Sequence, residues 1–282
     1  MEFKTLANIT TDELLSVFNH SFSDYVIPFH LTKEVLVSKI AAEKLDMNLS
    51  AGAFEEGKLV GFILQSEKVE NGEKMIYNGG TGVVPESRGK GLVRKMYDFL
   101  IPILQERNVN TLLLEVIEGN NKAIRAYENL GFTIARRLLC FRGSIQQGKE
   151  NAEVAISELK DYPWEVLCSF WDIEPSWQGS VFVLDPMPEN YITLGAYDGE
   201  KLVGYIIYGP VAKKVYQFAV DKNYRNRGIG TKLFNAIREK NDGQAIAINN
   251  VDDSSVSTSK FLREKIGLDN WLTQFEMKRA IE

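Results

Sequence analysis

The sequence predicts an α/β protein made of two tandem copies of one fold, each a mixed, mostly antiparallel twisted sheet flanked by helices. Internal repetition is the first observation behind this. Gly57-Lys58-Leu59-Val60-Gly61-Phe62-Ile63-Leu64 returns as Glu200-Lys201-Leu202-Val203-Gly204-Tyr205-Ile206-Ile207. Arg88-Gly89-Lys90-Gly91-Leu92-Val93 returns as Arg225-Asn226-Arg227-Gly228-Ile229-Gly230, and Asn129-Leu130-Gly131-Phe132 as Lys265-Ile266-Gly267-Leu268. The second observation is periodicity that changes along each copy, from strand-like to helix-like and back. The third is length: 282 residues suit two domains at roughly 150 residues each, enough for two buried cores.

Within the first copy, Phe3 to Leu6 reads as a short strand. Thr11 to Asn19 is a helix capped by Thr10 or Thr11, and Lys33 to Leu45 a second helix capped by Thr32. Leu49 to Phe54 and Leu59 to Val69 are strands joined by Glu56-Gly57, a hairpin signal. Glu73 to Val84 is the next strand, reached through Asn71-Gly72. Gly91 to Glu106 is an amphipathic helix with Leu92, Met96, Phe99, Leu100 and Ile103 on one face. Thr111 to Val116 is a buried strand, Asn121 to Asn129 a helix ended by Gly131, and Phe132 to Phe141 a last strand. Residues 144–151 are polar and aperiodic and read as a linker, which sets domains at 1–145 and 152–282. The second copy has no counterpart of the helix Lys33 to Leu45; a Trp- and Pro-rich segment, Trp164 to Pro188, stands there without a readable pattern.

Composition narrows the function. Lys+Arg 33 against Asp+Glu 38 gives a net charge of −5, which argues against a nucleic-acid or anionic-membrane binder. Two cysteines, Cys140 and Cys168, are neither a disulfide framework nor a zinc spacing. Two histidines, His20 and His30, leave little material for a metal site or a Ser–His–Asp triad, and no metal is expected. The acidic start, Met1 to Leu15, does not resemble a signal peptide, and no apolar run spans a bilayer, so a cytoplasmic location is expected.

The turn Arg88 to Val93 lies between a strand and a helix. Such a turn presents unpaired N–H groups and the positive end of the helix dipole, a site for phosphate. Gly89 and Gly91 let the backbone approach a ligand, and Arg88 and Lys90 add charge. The same holds for Arg225, Arg227, Gly228 and Gly230. A single basic turn is equally well a solvated turn; two at matching places favour a ligand. Neither is a Walker loop or a dinucleotide fingerprint.

Val84-Pro85-Glu86-Ser87-Arg88-Gly89-Lys90-Gly91, then Leu114-Glu115-Val116, Asn120, and Ala126-Tyr127-Glu128-Asn129-Leu130-Gly131-Phe132 closely resemble the Gcn5-related N-acetyltransferases, over Leu49 to Phe141. Tyr191 to Lys278 resembles them more weakly, so the whole resembles a tandem acetyltransferase. The resemblance implies transfer of the acetyl group of acetyl-CoA to an amine of a small molecule or peptide. It implies that Arg88, Gly89, Lys90, Gly91, Leu92 and Val93 hold the pyrophosphate of coenzyme A, although Val93 departs from the family's glycine or alanine. Arg225, Gly228 and Gly230 match without departure. Val83 and Val220, each five residues before the loop arginine, match the strand that offers backbone groups to the pantetheine arm. Asn120 matches a pantetheine-contacting asparagine, Tyr127 the tyrosine that protonates the departing thiolate, and Glu115 a strand glutamate that some members use as base.

The chemistry needs such groups. An ammonium must lose a proton, an oxyanion needs a donor such as the Val83 N–H, and a thiolate needs a proton. A thiol near ~8.5 and a phenol near ~10 are matched closely enough for Tyr127 to donate. Structural readings stand beside these. Tyr127 also fits a core residue with its hydroxyl at the edge, Glu115 a hydrogen-bonded strand residue, and Asn120 a helix cap. Gly79-Gly80-Thr81-Gly82 fits either close backbone approach to a ligand or a bulge. The cluster Phe22, Tyr25, Phe29 and His30, and the cluster Trp164, Trp171 and Trp177, each read as an acceptor pocket or a satellite core. Catalysis is expected in the first copy. The second has no tyrosine after Tyr224, no acid in Gln244 to Asn249, and Ser257 or Phe261 where a phenol is wanted. The alternatives are a non-catalytic CoA-binding or structural module, catalysis in the second domain, and a binder of another phosphorylated ligand.

Overall fold

The computed structural model describes residues 1–25, 30–70, 72–150 and 153–281. The chain forms two compact units: Met1–Ala135 with Phe275–Glu282, and Arg136–Gln274.

Unit 1 contains β1 (Glu2–Thr5), α1 (Thr11–Ser21), α2 (Lys33–Ala42), β2 (Ala51–Glu55), β3 (Lys58–Glu70), β4 (Glu73–Val83), α3 (Leu92–Glu106), β5 (Thr111–Ile117) and α4 (Asn121–Glu128). Thr10 caps α1 by accepting from the Glu13 N–H at 3.2 Å, and Thr32 caps α2 by accepting from the Val35 N–H at 3.3 Å. α2 is shorter than the expected Lys33 to Leu45, because Lys44 turns left-handed at φ 52°. The sheet order is β1-β2-β3-β4-β5, antiparallel up to β4 and parallel between β4 and β5. The β2–β3 turn places Glu56 at φ 51° and Gly57 at φ 79°, the twist that a tight hairpin needs. Asn71, in the expected Asn71-Gly72 turn, lies outside the described residues. One core packs α3 and α4 on the sheet through Ile76, Met96, Leu100, Leu112, Leu114 and Phe132. The other packs α1 and α2 on the opposite face through Leu14, Phe18, Leu36, Phe62 and Leu64.

β4 and β5 part company midway. They pair from Met75/Thr111 to Asn78/Leu114 and no further. At that point β4 carries a bulge, for Leu64 pairs Gly80 and Gln65 pairs Asn78, which leaves Gly79 without a partner residue. Packing accounts for the glycines here. A Cβ on Gly79 would sit 2.8 Å from Leu45 Cδ2 and 2.9 Å from Glu43 Oε2, and one on Gly82 would sit 2.6 Å from the Phe62 ring.

Unit 2 repeats the plan. It holds most of β6 (Thr133–Ser144), then β7 (Ala155–Glu158), α5 (Trp164–Ser169), α6 (Val181–Leu184), β8 (Ile192–Asp198), β9 (Lys201–Gly209), β10 (Lys214–Val220), α7 (Ile229–Lys240), β11 (Ala245–Asp252) and α8 (Val256–Phe261). Short helices α5 and α6 occupy the Trp- and Pro-rich segment. The sheet order is β6-β11-β10-β9-β8-β7, with β10 and β11 parallel at Lys214 and Val215 only and a bulge at Tyr216. α8 runs into one π turn, Leu262–Ile266, closed by Gly267 at φ 79°.

The units do not follow the expected linker at 144–151. β6 pairs with β11 from Leu138 to Ser144 inside unit 2, whereas Phe275 and Met277 of β12 (Asp269–Ala280) pack into the core of unit 1. Each repeat therefore lends its last strand to the other unit. Order persists past 145: Ile145 is buried and the Gln146 N–H donates to the Ile266 carbonyl at 2.8 Å. Asn151 and Ala152 lie outside the described residues.

Candidate active site

In unit 1 the open side of β4 beyond Asn78 is where backbone groups become available. The Val84 N–H donates to the Val60 carbonyl at 3.0 Å, so Val60/Val84 is a hydrogen-bonded pair. In an antiparallel ladder the next pair, Gly61/Val83, is then non-bonded. The N–H and C=O of Val83 consequently point away from β3, into the parting. Arg88 takes the carbonyl, its Nε donating to Val83 O at 3.1 Å. The N–H of Val83 is left facing the gap, as an oxyanion donor must.

Arg88 differs from the expectation of a phosphate-facing cation. Its guanidinium donates to the Ser21 carbonyl at 2.9 Å and to both Asp24 oxygens at 2.6 and 2.8 Å. The hydrogen bond from Arg88 holds the Asp24 carboxyl below the usual carboxylate range. Arg88 thus braces the end of β4 against the end of α1. What the loop offers a ligand is its amides: Gly89 at φ 76° and Gly91 at φ 70° are left-handed, and Gly91 is the cap of α3 with no side-chain partner for the helix amides. Lys90 reaches Glu55 at 3.4 Å on the surface. Val93 turns its side chain into the α3 core, so its branch does not fill the loop.

Tyr127 is 8% exposed and projects from α4 to the bulge. Burial pushes its pKa up, against the opposing pull of the neighbouring Thr81 and Asn78 side chains. Asn78, a residue sequence reading missed, organises this corner: its Nδ2 donates to Thr81 Oγ1 at 2.8 Å and to Tyr97 OH at 2.9 Å, and its Oδ1 accepts the Gly80 N–H at 3.0 Å. A polar residue inside an apolar strand was the available signal. Asn120 caps α4, accepting from the Ala123 N–H at 3.2 Å, and its Nδ2 donates to Tyr25 OH at 3.3 Å.

Glu115 lies on the other face of the sheet. Leu112, Leu114 and Val116 face the core beneath α3, and strand alternation turns Glu115 toward the α1–α2 side. There it accepts a hydrogen bond from Tyr77 OH at 2.6 Å. An acid and a base on opposite faces of a parted sheet can serve a group held between them.

The first expected aromatic cluster keeps Phe22 and Tyr25 together, whereas the three tryptophans pack with different partners. Phe22 packs against Phe18 at 4.8 Å and Tyr25 at 5.1 Å between ring centroids, His20 lies 3.1 Å from Glu86, and Phe29 is outside the described residues. Trp177 is buried against Phe182, Trp164 Nε1 donates to Asp185 at 2.6 Å, and Trp171 Nε1 donates to Tyr205 OH at 2.6 Å.

The loop of unit 2 reproduces the brace residue for residue. The Asp221 N–H donates to Val203 O at 2.9 Å, which turns Val220 toward the parting. Arg225 Nε donates to Val220 O at 3.0 Å, Nη2 to Phe170 O at 2.8 Å and Nη1 to Asp172 at 2.5 Å. Gly228 caps α7 at φ 80°. Gly230 is needed for packing, since a Cβ there would meet the Phe261 ring at 2.9 Å.

The sequence matches the acetyltransferase (GNAT) family twice, over residues 6–132 and 156–254. The chain belongs to the GNAT family. It is 28% identical over 131 residues to the [Ribosomal protein bS18]-alanine N-acetyltransferase of Escherichia coli (strain K12), an alignment covering 46% of this chain and 82% of that one. A 52-residue stretch is 44% identical to mycothiol acetyltransferase of Thermobispora bispora, covering 18% of each. In fold, this GNAT chain matches a GCN5-related N-acetyltransferase from Sphaerobacter thermophilus with a TM-score of 0.75 at 15% identity, over 100% of this chain and 96% of that one. It matches a tandem GNAT protein of the clavulanic acid biosynthesis pathway equally well, with a TM-score of 0.75 at 13% identity over 100% and 98%. Among the described residues no helix is long and apolar enough to cross a membrane.

Proposed function

We propose that this GNAT protein transfers the acetyl group of acetyl-CoA to the amine of a small molecule or peptide, and that unit 1 performs the transfer. The observation that carries this reading is the buried Tyr127 phenol on α4, placed beside Thr81 and Asn78 where β4 and β5 part. The fit to coenzyme A rests on the left-handed Gly89 and Gly91, the side-chain-free cap of α3, and the Val83 N–H turned into the gap. Bound acetyl-CoA supplies an activated acetyl group as its thioester. The amides of residues 89–93 hold pyrophosphate, and Val83 and Asn120 line the arm. The Val83 N–H donates to the acetyl oxygen as negative charge grows there. Tyr127 gives its phenolic proton to the leaving sulfur, and Glu115, from the α1–α2 face, takes a proton from the incoming ammonium. The acceptor class is supported by the two relatives, one named for an alanine of a ribosomal protein and one for mycothiol. The test is a screen of peptide N-termini and small amines with thiol release as readout. Acceptor-dependent release supports the reading; binding of CoA with no release over the whole panel favours the non-catalytic module instead.

A further inference from the structure

The α1–α2 side of unit 1 holds an ammonium of the chain's own close to the parting of β4 and β5. Lys39 Nζ, on the last turn of α2, lies 2.6 Å from Glu43 Oε2 at the end of that helix. A lysine and a glutamate four residues apart on a helix ordinarily meet in solvent. Here the two side chains are 17% and 11% exposed, so the pair is turned in toward the sheet. Its carboxylate reaches the bulge: Glu43 Oε2 lies 2.9 Å from the Cβ position of Gly79, the residue of β4 left without a partner. The Tyr77 ring is 3.5 Å from the same point, and Tyr77 OH holds Glu115. The Lys39 ammonium is therefore two short contacts from the bulge, on the side where Glu115 stands. Lys68, also largely covered, is placed differently: it pairs with Met75, before the strands part, and its Nζ lies 2.9 Å from Glu70.

We propose that Lys39 is an internal acceptor: when no external amine is present, unit 1 passes an acetyl group from acetyl-CoA to Lys39 Nζ. The proposal rests on the assignment of transfer to unit 1. The ammonium gives a proton to the Glu43 carboxylate that touches it. That transfer removes both charges, dissolves the ion pair and frees the flexible lysine stem to reach the thioester. The neutral amine attacks the acetyl carbon. A C–N bond forms, the C–S bond breaks, and the sulfur leaves with the phenolic proton of Tyr127. The second proton shed by the nitrogen restores the phenol, and Glu43 returns its own to water. The products are the free thiol of CoA and an uncharged Nε-acetyl-lysine that no longer pairs with Glu43. No oxidant or further reactant is needed.

The test incubates the full chain with acetyl-CoA carrying an isotope-labelled acetyl group, without any amine, and follows each lysine by peptide mass spectrometry. Lys58, exposed in the β2–β3 turn, reports uncatalysed acetylation. Label should enter Lys39 at least tenfold faster than Lys58, at a rate per chain that does not depend on chain concentration. Tyr127→Phe, in a chain that still binds acetyl-CoA, should bring Lys39 down to the rate of Lys58, and Glu43→Gln should slow Lys39 without slowing Lys58. Label on Lys39 no faster than on Lys58, or as fast in Tyr127→Phe as in the wild type, overturns the proposal. A Lys39 rate that rises with chain concentration also overturns it, since the acetyl group would then pass between chains. In each of these cases, Tyr127-dependent thiol release with an external amine leaves the function of unit 1 standing. No label on Lys39 together with no thiol release over the amine panel overturns both readings.

Discussion

Tyr77 and Asn78 are neighbours in β4, yet they serve opposite faces of the sheet. Tyr77 OH donates to Glu115 at 2.6 Å and fixes where that carboxyl points. Tyr77→Phe should lower kcat several-fold while acetyl-CoA affinity holds; an unchanged kcat would show that the placing of Glu115 does not matter to turnover. Asn78 is buried and satisfies Thr81, Tyr97 and the Gly80 amide together. Asn78→Ala strands these groups and should cost about 1–3 kcal/mol in urea unfolding. The raised pKa of Tyr127 sets a sign for alkaline pH. A phenol held above its ordinary value of about 10 keeps its proton as pH rises toward that value, so kcat should show no loss from Tyr127 between roughly pH 8 and 10. Tyr127 could be singled out in the sequence because its spacing to Gly131-Phe132 is distinctive. Asn78 was not, because a lone polar residue in a strand marks a position without naming the partners it will bond.

At the scale of elements, the phosphate loop is a strand end, a turn and a helix cap held by one arginine. Arg88 ties the Val83 carbonyl to Ser21 and Asp24, and Arg225 repeats the tie with Val220, Phe170 and Asp172. The sequence marked both arginines and assigned them to the ligand; their use as braces depends on where α1 and α5 end, which residue order alone does not fix. Because Arg88 lowers the Asp24 pKa, the brace is intact above the ordinary carboxylate range and is lost as pH falls through the lowered value. Asp24→Asn should therefore remove part of the acid-dependent loss of stability in a thermal melt series across pH 2–5, roughly the window in which carboxylates titrate. Gly91 caps α3 at φ 70°, a conformation that costs a Cβ-bearing residue about 1–2 kcal/mol. Gly91→Val should raise KM for acetyl-CoA about tenfold or more with kcat less affected, measured at saturating acceptor.

At the scale of the molecule, repetition in sequence gave the two copies and most of their elements, because paired landmarks and changing periodicity survive divergence. The exchange of last strands was hidden, since β6 and β12 mix apolar with charged residues in similar patterns and nothing local names the partner. It has a consequence for dissection. A fragment ending at residue 145 lacks Phe275 and Met277, which belong to the core of unit 1. Such a fragment should lose the cooperative melt of the intact chain. The central claim is that acetyl transfer runs through Tyr127 in unit 1, and thiol release by Tyr127→Phe at saturating acetyl-CoA and acceptor tests it most directly. A fall in kcat of roughly 10²–10⁴, with acetyl-CoA binding retained, is the predicted result. Unchanged turnover in Tyr127→Phe, together with loss of turnover on substitution of Gly228, would contradict it and move the chemistry to unit 2.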